Sequence, residues 1–148
     1  MDLTTAENMA RTLMTEHGVG RLDFAFDRAK RRLGACHYYT IAGTPIPAKI
    51  TLSRHFVPLL SEDEVRDVIL HEIAHAQTPG QHHNAVWRAA ARKIGARPQR
   101  CAAPSVRPAA PIEGRCPTCD VKVSEHHRMP RAVYVHTPCR TRLTYVRL

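Results

Sequence analysis

Three residues in one short run have the types and spacing for metal-assisted hydrolysis: His71, Glu72 and His75, in His71-Glu72-Ile73-Ala74-His75. On a helix His71 and His75 are i and i+4, so both imidazoles leave one face about one turn apart. That separation suits two corners of a zinc tetrahedron. Glu72 is next to the first imidazole in sequence. It can reach a water beside the cation without itself binding the cation, as a general base must. No Lys or Arg occurs between Ile69 and Trp87, so no cation nearby in the sequence competes for the site.

The element that must carry these residues runs from Ser61 to Thr78. Ser61-Glu62-Asp63-Glu64 has the form of a capping box, with a Ser hydroxyl at the N-cap and a carboxylate three residues on. Val65, Val68, Ile69, Ile73 and Ala76 follow at helical spacing and form one apolar stripe. Pro79-Gly80 ends the helix. Upstream, Thr4 or Thr5 is expected to cap a helix over about Ala6–His17, with Met9, Leu13 and Met14 inward and Gly18 as its stop. Leu22–Phe26, Gly34–Thr40 and Lys49–Ser53 read as short strands. Asp27–Arg32 reads as a basic turn, and Gly43–Pro47 as a turn signal. Downstream, His83 or Asn84 opens a helix to about Ile94, with Val86, Trp87, Ala90 and Ile94 inward. Trp87 reads as a core anchor.

A third metal ligand must come from elsewhere. No Asp or Glu occurs from Ile73 to Ile112, which removes a downstream carboxylate unless the tail folds back. The pattern with Gly three and His six residues past the second His is also absent, because Thr78 and Gln81 stand there. His82 and His83 remain, both just beyond a turn that can return the chain. Adjacent side chains diverge, so one of the two is expected to ligate, and spacing alone leaves the choice open.

A second cluster lies near the C-terminal end. Cys116-Pro117-Thr118-Cys119 and His136-Thr137-Pro138-Cys139 each offer two ligands three apart, with 16 residues between Cys119 and His136. This is zinc-ribbon spacing with a Cys3His set. Strand-like Val121–Val123, Ala132–Val135 and Leu143–Leu148 surround it. So short a segment cannot build a large core, and a structural Zn2+ is expected to supply most of its folding energy. The stretch 97–114 holds four prolines and many alanines and reads as an extended linker of about 3 Å per residue. Cys36, and Cys101 within that linker, read as thiols outside either ligand set.

Charge follows the same division. The net charge is +9; residues 1–96 carry 12 Lys and Arg against 10 Asp and Glu, and residues 97–148 carry 10 against 3. A separate basic module at the end implies a nucleic-acid partner. Arg128, Arg131, Arg140, Arg142 and Arg147, with Tyr134 and Tyr145, are the candidate contacts to phosphates and unpaired bases. Such binding would be independent of sequence and weakened by salt. No run of 18 apolar residues and no leader-like N-terminus occurs, so no membrane partner and a cytoplasmic, non-secreted location are expected, nucleoid-associated in a bacterial host.

The His-Glu-Ile-Ala-His run, a Pro-Gly turn, and then a His four residues before Trp87 together resemble the SprT-like metalloprotease family, which includes the Spartan proteases. Phe24-Ala25-Phe26, Lys30-Arg31-Arg32-Leu33-Gly34 and Ile50-Thr51-Leu52-Ser53 are similar to it as well. The resemblance covers most of residues 6–96. It implies His83 as the third ligand, Glu72 as the catalytic base and a catalytic Zn2+ on His71, His75 and His83. It also implies an α+β, zincin-like protease domain over residues 1–96, with a small sheet packed on the metal-binding helix. A linker over 97–114 and a basic zinc ribbon over 115–148 would follow, giving two Zn2+ per chain. The implied substrates are proteins bound or crosslinked to DNA, and the implied process is repair of such crosslinks. Asn84 departs from the family, where many members have Gly, and so does His136, where the ribbon has Cys. The competing expectation is a non-catalytic zinc-containing DNA-binding or adaptor protein, in which the first metal is only structural.

Overall fold

The computed structural model describes residues 1–99 and 106–148, in two units, residues 1–108 and 109–148. Cys101 lies outside the described residues. The architecture is α+β. Among the described residues no helix is long and apolar enough to cross a membrane.

The first unit opens with α1 (Leu3–Glu16). Its cap is Asp2 rather than Thr4 or Thr5. The Asp2 carboxylate accepts from the Thr5 amide at 2.8 Å and from the Thr5 hydroxyl at 2.7 Å. A carboxylate at this end also meets the positive pole of the helix, so it prevails over a neutral hydroxyl. Ala6, Ala10, Leu13 and Met14 are buried, and Met9 packs beside them.

Three strands follow: β1 (Asp23–Asp27), β2 (Gly34–Ile41) and β3 (Thr44–Ser53), in the order β1-β3-β2. β1 runs parallel to β3, and β2 antiparallel. β3 is therefore the central strand, and Lys49–Ser53 is paired on both sides. It also starts earlier than its sequence predicts, at Thr44, so Pro45 and Pro47 lie within it. Both prolines face β2, opposite Thr40 and Tyr38. Two such residues can sit in the ladder only where their nitrogens point away from the partner strand. That holds here, because β1 pairs only from Lys49 onward and leaves the other flank of Thr44–Ala48 unpaired. The pairing register slips after His37, which leaves Ala48 as a bulged residue.

α2 (Glu62–Gln77) carries the predicted capping box: the Glu64 amide donates to Ser61 Oγ at 3.2 Å, and the Ser61 amide donates to Glu64 Oε2 at 2.8 Å. Val65, Ile69, Ile73 and Ala76 are buried and Val68 packs against them. After the Pro79-Gly80 turn, α3 (Ala85–Ile94) starts from Asn84, whose Oδ1 accepts the Trp87 amide at 3.1 Å. Gly95 closes it in the left-handed region, φ 87°. Trp87 and Ala91 are its buried face, with Ala90 and Ile94 partly covered. Val86 is 54% exposed, so it does not belong to the inner face. Trp87 and Ala91 are one turn apart, and a neighbour of Trp87 is rotated about 100° from it, towards water.

Arg97 still belongs to the first unit: its amide and Nε reach the Asp67 carboxylate at 2.9 and 3.2 Å. The second unit holds β4 (Ile112–Arg115), β5 (Lys122–His126), β6 (Val135–His136), β7 (Thr141–Arg142) and β8 (Thr144–Arg147). β5-β4-β8 form one antiparallel sheet, and β6-β7 a two-residue ladder. The stretch expected as linker to residue 114 thus ends earlier. Ile112 is fully buried as the first residue of β4, a role that one isoleucine among prolines does not announce.

Candidate metal centres

α2 presents His71 and His75 on one face, and the turn after it brings His83 back to them. His75 Nε2 and His83 Nε2 are 2.9 Å apart, and His83 Nε2 and His71 Nε2 are 3.1 Å apart. His83 reaches this place with φ 49°, in the left-handed region, while the expected alternative, His82, is exposed and outside the group. Nε2 of His83 faces two other ring nitrogens, and one proton can serve only one of them. A cation among the three satisfies all. Tetrahedral zinc with Zn–N bonds of about 2.0–2.1 Å holds its nitrogens roughly 3.3 Å apart, close to the spacing seen.

The electrostatics suit the same occupant. Burial, with the neighbouring imidazoles adding to it, brings the His71 ring down to about 4. His75 falls to about 4 for the same first reason, with His83 adding to it. Both rings are therefore neutral at pH 7, as metal ligands must be. The His75 ring also hydrogen-bonds the Gln81 backbone, which fixes its orientation from behind.

Glu72 is 6% exposed. Burial pushes its carboxyl up to about 7, against the opposing pull of Arg32 and of the Cys36 amide. Asp27 holds Arg32 at 2.9 Å. Gly34 makes room for the carboxylate: a Cβ there would stand 3.2 Å from Glu72 Cγ, 3.0 Å from Val68 Cγ1 and 3.0 Å from the Thr51 carbonyl. Tyr38, two residues beyond Cys36 on β2, donates its hydroxyl to the His75 carbonyl at 2.6 Å. Cys36 itself is half-buried, and burial raises its thiol to about 11.

Trp87 is fully buried and touches all three imidazoles. Its ring centroid is 4.6 Å from His71, 5.1 Å from His75 and 4.6 Å from His83. The core-anchor expectation holds, but the indole is also the wall of the site. The sequence signal for that was its place four residues after His83. Arg32 and Gly34 lie in the family-like run Lys30–Gly34, but neither their roles nor that of Tyr38 can be read from it, because those depend on how β2 and the turn before it lie against α2.

In the second unit Cys116, Cys119, His136 and Cys139 bring one ligand atom each to within 4.8 Å of one another. Cys119 Sγ is 3.6 Å from His136 Nδ1. Each ligand pair is followed by a residue with positive φ, Asp120 at 56° and Arg140 at 51°. The two loops are linked by the Thr118 and Thr141 hydroxyls at 2.9 Å. Burial opposes ionisation of Cys116, but the Cys119 and Thr118 amides and the His136 ring bring its thiol down to about 6. The Cys139 thiol donates to Cys119, and this bond, with burial, raises Cys139 to about 11. Three sulfurs and an imidazole this close are a soft tetrahedral set, which fits zinc. His126 is turned to Ser124 Oγ at 2.9 Å and stays outside the set, as does His127.

Arg128, Arg131, Arg140, Arg142 and Arg147 are all exposed. The acids of this unit are engaged elsewhere: Glu113 and Asp120 with Arg115, and Glu113 and Glu125 with Lys122. Among the described residues none of the five arginines has an acidic partner. Tyr134 is 46% exposed. Tyr145 is half-buried; its ring is 5.6 Å from His126 and its hydroxyl is covered, which suits the small core better than a stacking platform.

The model of the SprT-like family matches residues 5–107, a span that includes His71, Glu72, His75, His83 and Trp87 but not the cysteine cluster. A search of curated proteins returns no match.

Proposed function

The chain belongs to the SprT-like family, a family associated with metallopeptidase-like activity, and on that premise we propose that it is a zinc-dependent endopeptidase acting on proteins bound or crosslinked to DNA. The observation that carries the reading is the convergence of three imidazole nitrogens, those of His71 and His75 on neutral rings, beside a buried carboxyl raised to about 7. In this reading His71, His75 and His83 hold the zinc. When bound, zinc supplies Lewis acidity towards the scissile carbonyl and makes a water acidic enough to deprotonate near neutral pH. Glu72 accepts the proton of the attacking water and delivers it to the departing amide nitrogen.

Lys49–Ser53, the strand that leads towards the metal helix, is paired on both sides and has no edge to offer a peptide. The outer edge of β2 has no strand partner among the described residues and is the edge nearest the site: Cys36 and Tyr38 on it already reach towards Glu72 and His75. We place the extended substrate there, with main-chain hydrogen bonds giving affinity without strong sequence demands. The second unit is read as a zinc ribbon whose five unpaired arginines hold DNA through its phosphates. The adaptor reading leaves the burial of an ionisable Glu72 without a use.

Cleavage of a histone-like protein, with and without DNA, tests the proposal. DNA should stimulate the parent, a chelator should abolish cleavage, and Glu72→Gln should keep two zinc ions per chain yet lose all activity. A Glu72→Gln protein as active as the parent, or cleavage that survives removal of the metal, sinks it.

A further inference from the structure

The position of Trp87 does more than fill space. Its indole is 0% exposed and lies against three different side chains that come from two elements, α2 and the turn before α3. It is nearly parallel to the His75 ring, at an interplanar angle of 29°, and edge-on to His71 and His83, at 60° and 83°. The three rings therefore meet different parts of one rigid plane, and each contact limits a different imidazole torsion. The backbone of Trp87 is itself pinned, because its amide donates to the Asn84 cap. Asn84 directly follows His83, so a single cap fixes both the ligand turn and the wall it leans on. The indole N–H is buried without a hydrogen-bond partner. That is a liability which a Phe would not carry, so apolar filling alone does not account for the residue.

We propose that Trp87 is the positioning residue of the imidazole cluster: it holds the three rings converged before a metal arrives, and so sets the affinity and geometry of the site. This goes one step beyond the zinc reading of His71, His75 and His83, and rests on it. Supporting partners behind metal ligands typically change affinity by about 10–100-fold when removed. The chain has one tryptophan, so its emission also reports directly on this site.

The full-length protein is stripped of metal and titrated with Co2+, following Trp87 emission and the visible absorption of the bound ion. In the parent, Co2+ should quench Trp87, and His71→Ala should abolish the quenching. Unquenched Trp87 emission after the parent has taken up two Co2+ would overturn the zinc reading of the histidines and the proposal with it. Trp87→Leu should weaken retention of one of the two Co2+ ions against a chelator by about 10–100-fold, with an altered visible spectrum. Trp87→Phe, which keeps a flat but smaller ring and so fewer of the three contacts, should recover part of the affinity and move the spectrum back towards the parent's. If Trp87→Leu does not fold, Trp87→Phe decides: a Phe variant that folds but holds Co2+ as weakly as His71→Ala speaks against a ring wall. A folded Trp87→Leu with the parent's affinity and spectrum would show Trp87 to be core filling and nothing more. None of these readouts requires cleavage, so a protein that binds Co2+ as expected but cuts no substrate would leave this inference standing and overturn only the proposed activity.

Discussion

Replacing Glu72 by Gln should make the metal-free protein more stable, and by an amount that depends on pH. The carboxyl moves from its ordinary value of 4.5 to about 7 in the fold, because burial penalises the charged form. Between these two values the folded state binds more protons than the unfolded state, so stability falls as pH rises through that window. Below pH 4.5 both states are protonated and the residue costs nothing. Above pH 7 both are ionised and the fold bears the whole difference. From 4.5 to about 7, at about 1.4 kcal/mol per pH unit, the cost is about 3 kcal/mol, or about 2 kcal/mol if water partly reaches the group. Gln is close to the protonated carboxyl in shape and never ionises. The variant should therefore match the parent at pH 4.5 and exceed it by about 2–3 kcal/mol at pH 8, roughly 10 °C in Tm for a unit of this size. The assay is thermal or urea unfolding in chelator at several pH values, followed by the emission of the single tryptophan, which reads only the first unit. His71 and His75 are depressed to about 4 and add an opposite slope, but they are common to both proteins and cancel in the comparison. A Gln variant no more stable than the parent at pH 8, or equally shifted at both ends of the pH range, would refute the reasoning. The gain in stability with loss of activity would mark Glu72 as a group kept for chemistry at the expense of the fold.

Gly34→Ala should cost about 1–3 kcal/mol and reduce cleavage, because its Cβ would press on the Thr51 carbonyl, which cannot swing aside, and on Glu72 Cγ; thermal unfolding alongside activity checks it, and a neutral variant means β2 can shift freely. Metal analysis should find two zinc per chain, falling to one when His71 and His75 are both Ala; an unchanged count would place neither ion on these histidines.

Much of the site is written in consecutive residues, and that is why it can be read from them. The capping box, the i, i+4 pair and the return of a His past a Pro-Gly turn are local patterns whose geometry a helix and a turn dictate. The same holds for the two Cys-x-x-Cys and His-x-x-Cys loops. What could not be read depends on pairing between distant segments. Nothing in Lys49–Ser53 tells that β1 will come to lie beside it and make it central. Pro45 and Pro47 look like a turn until β1 is seen to leave one flank open. Asp2 outcompetes two threonines through charge, and Val86 falls on the wet side because Trp87 and Ala91 take the inner face and Val86 is turned about 100° from Trp87. Arg32, Gly34 and Tyr38 matter only through what β2 brings against α2.

The two prolines in β3 have a further effect. Their ring nitrogens lie along the unpaired flank of Thr44–Ala48, so that flank offers carbonyl oxygens but no amide hydrogen at either Pro45 or Pro47. A passing chain cannot zip onto it in regular register, whether it is an unfolded neighbour or another copy of this hairpin. Self-association by strand stacking is thereby discouraged on that side, and any extended guest is directed to the opposite border, where the phenol of Tyr38 and the metal-binding helix wait.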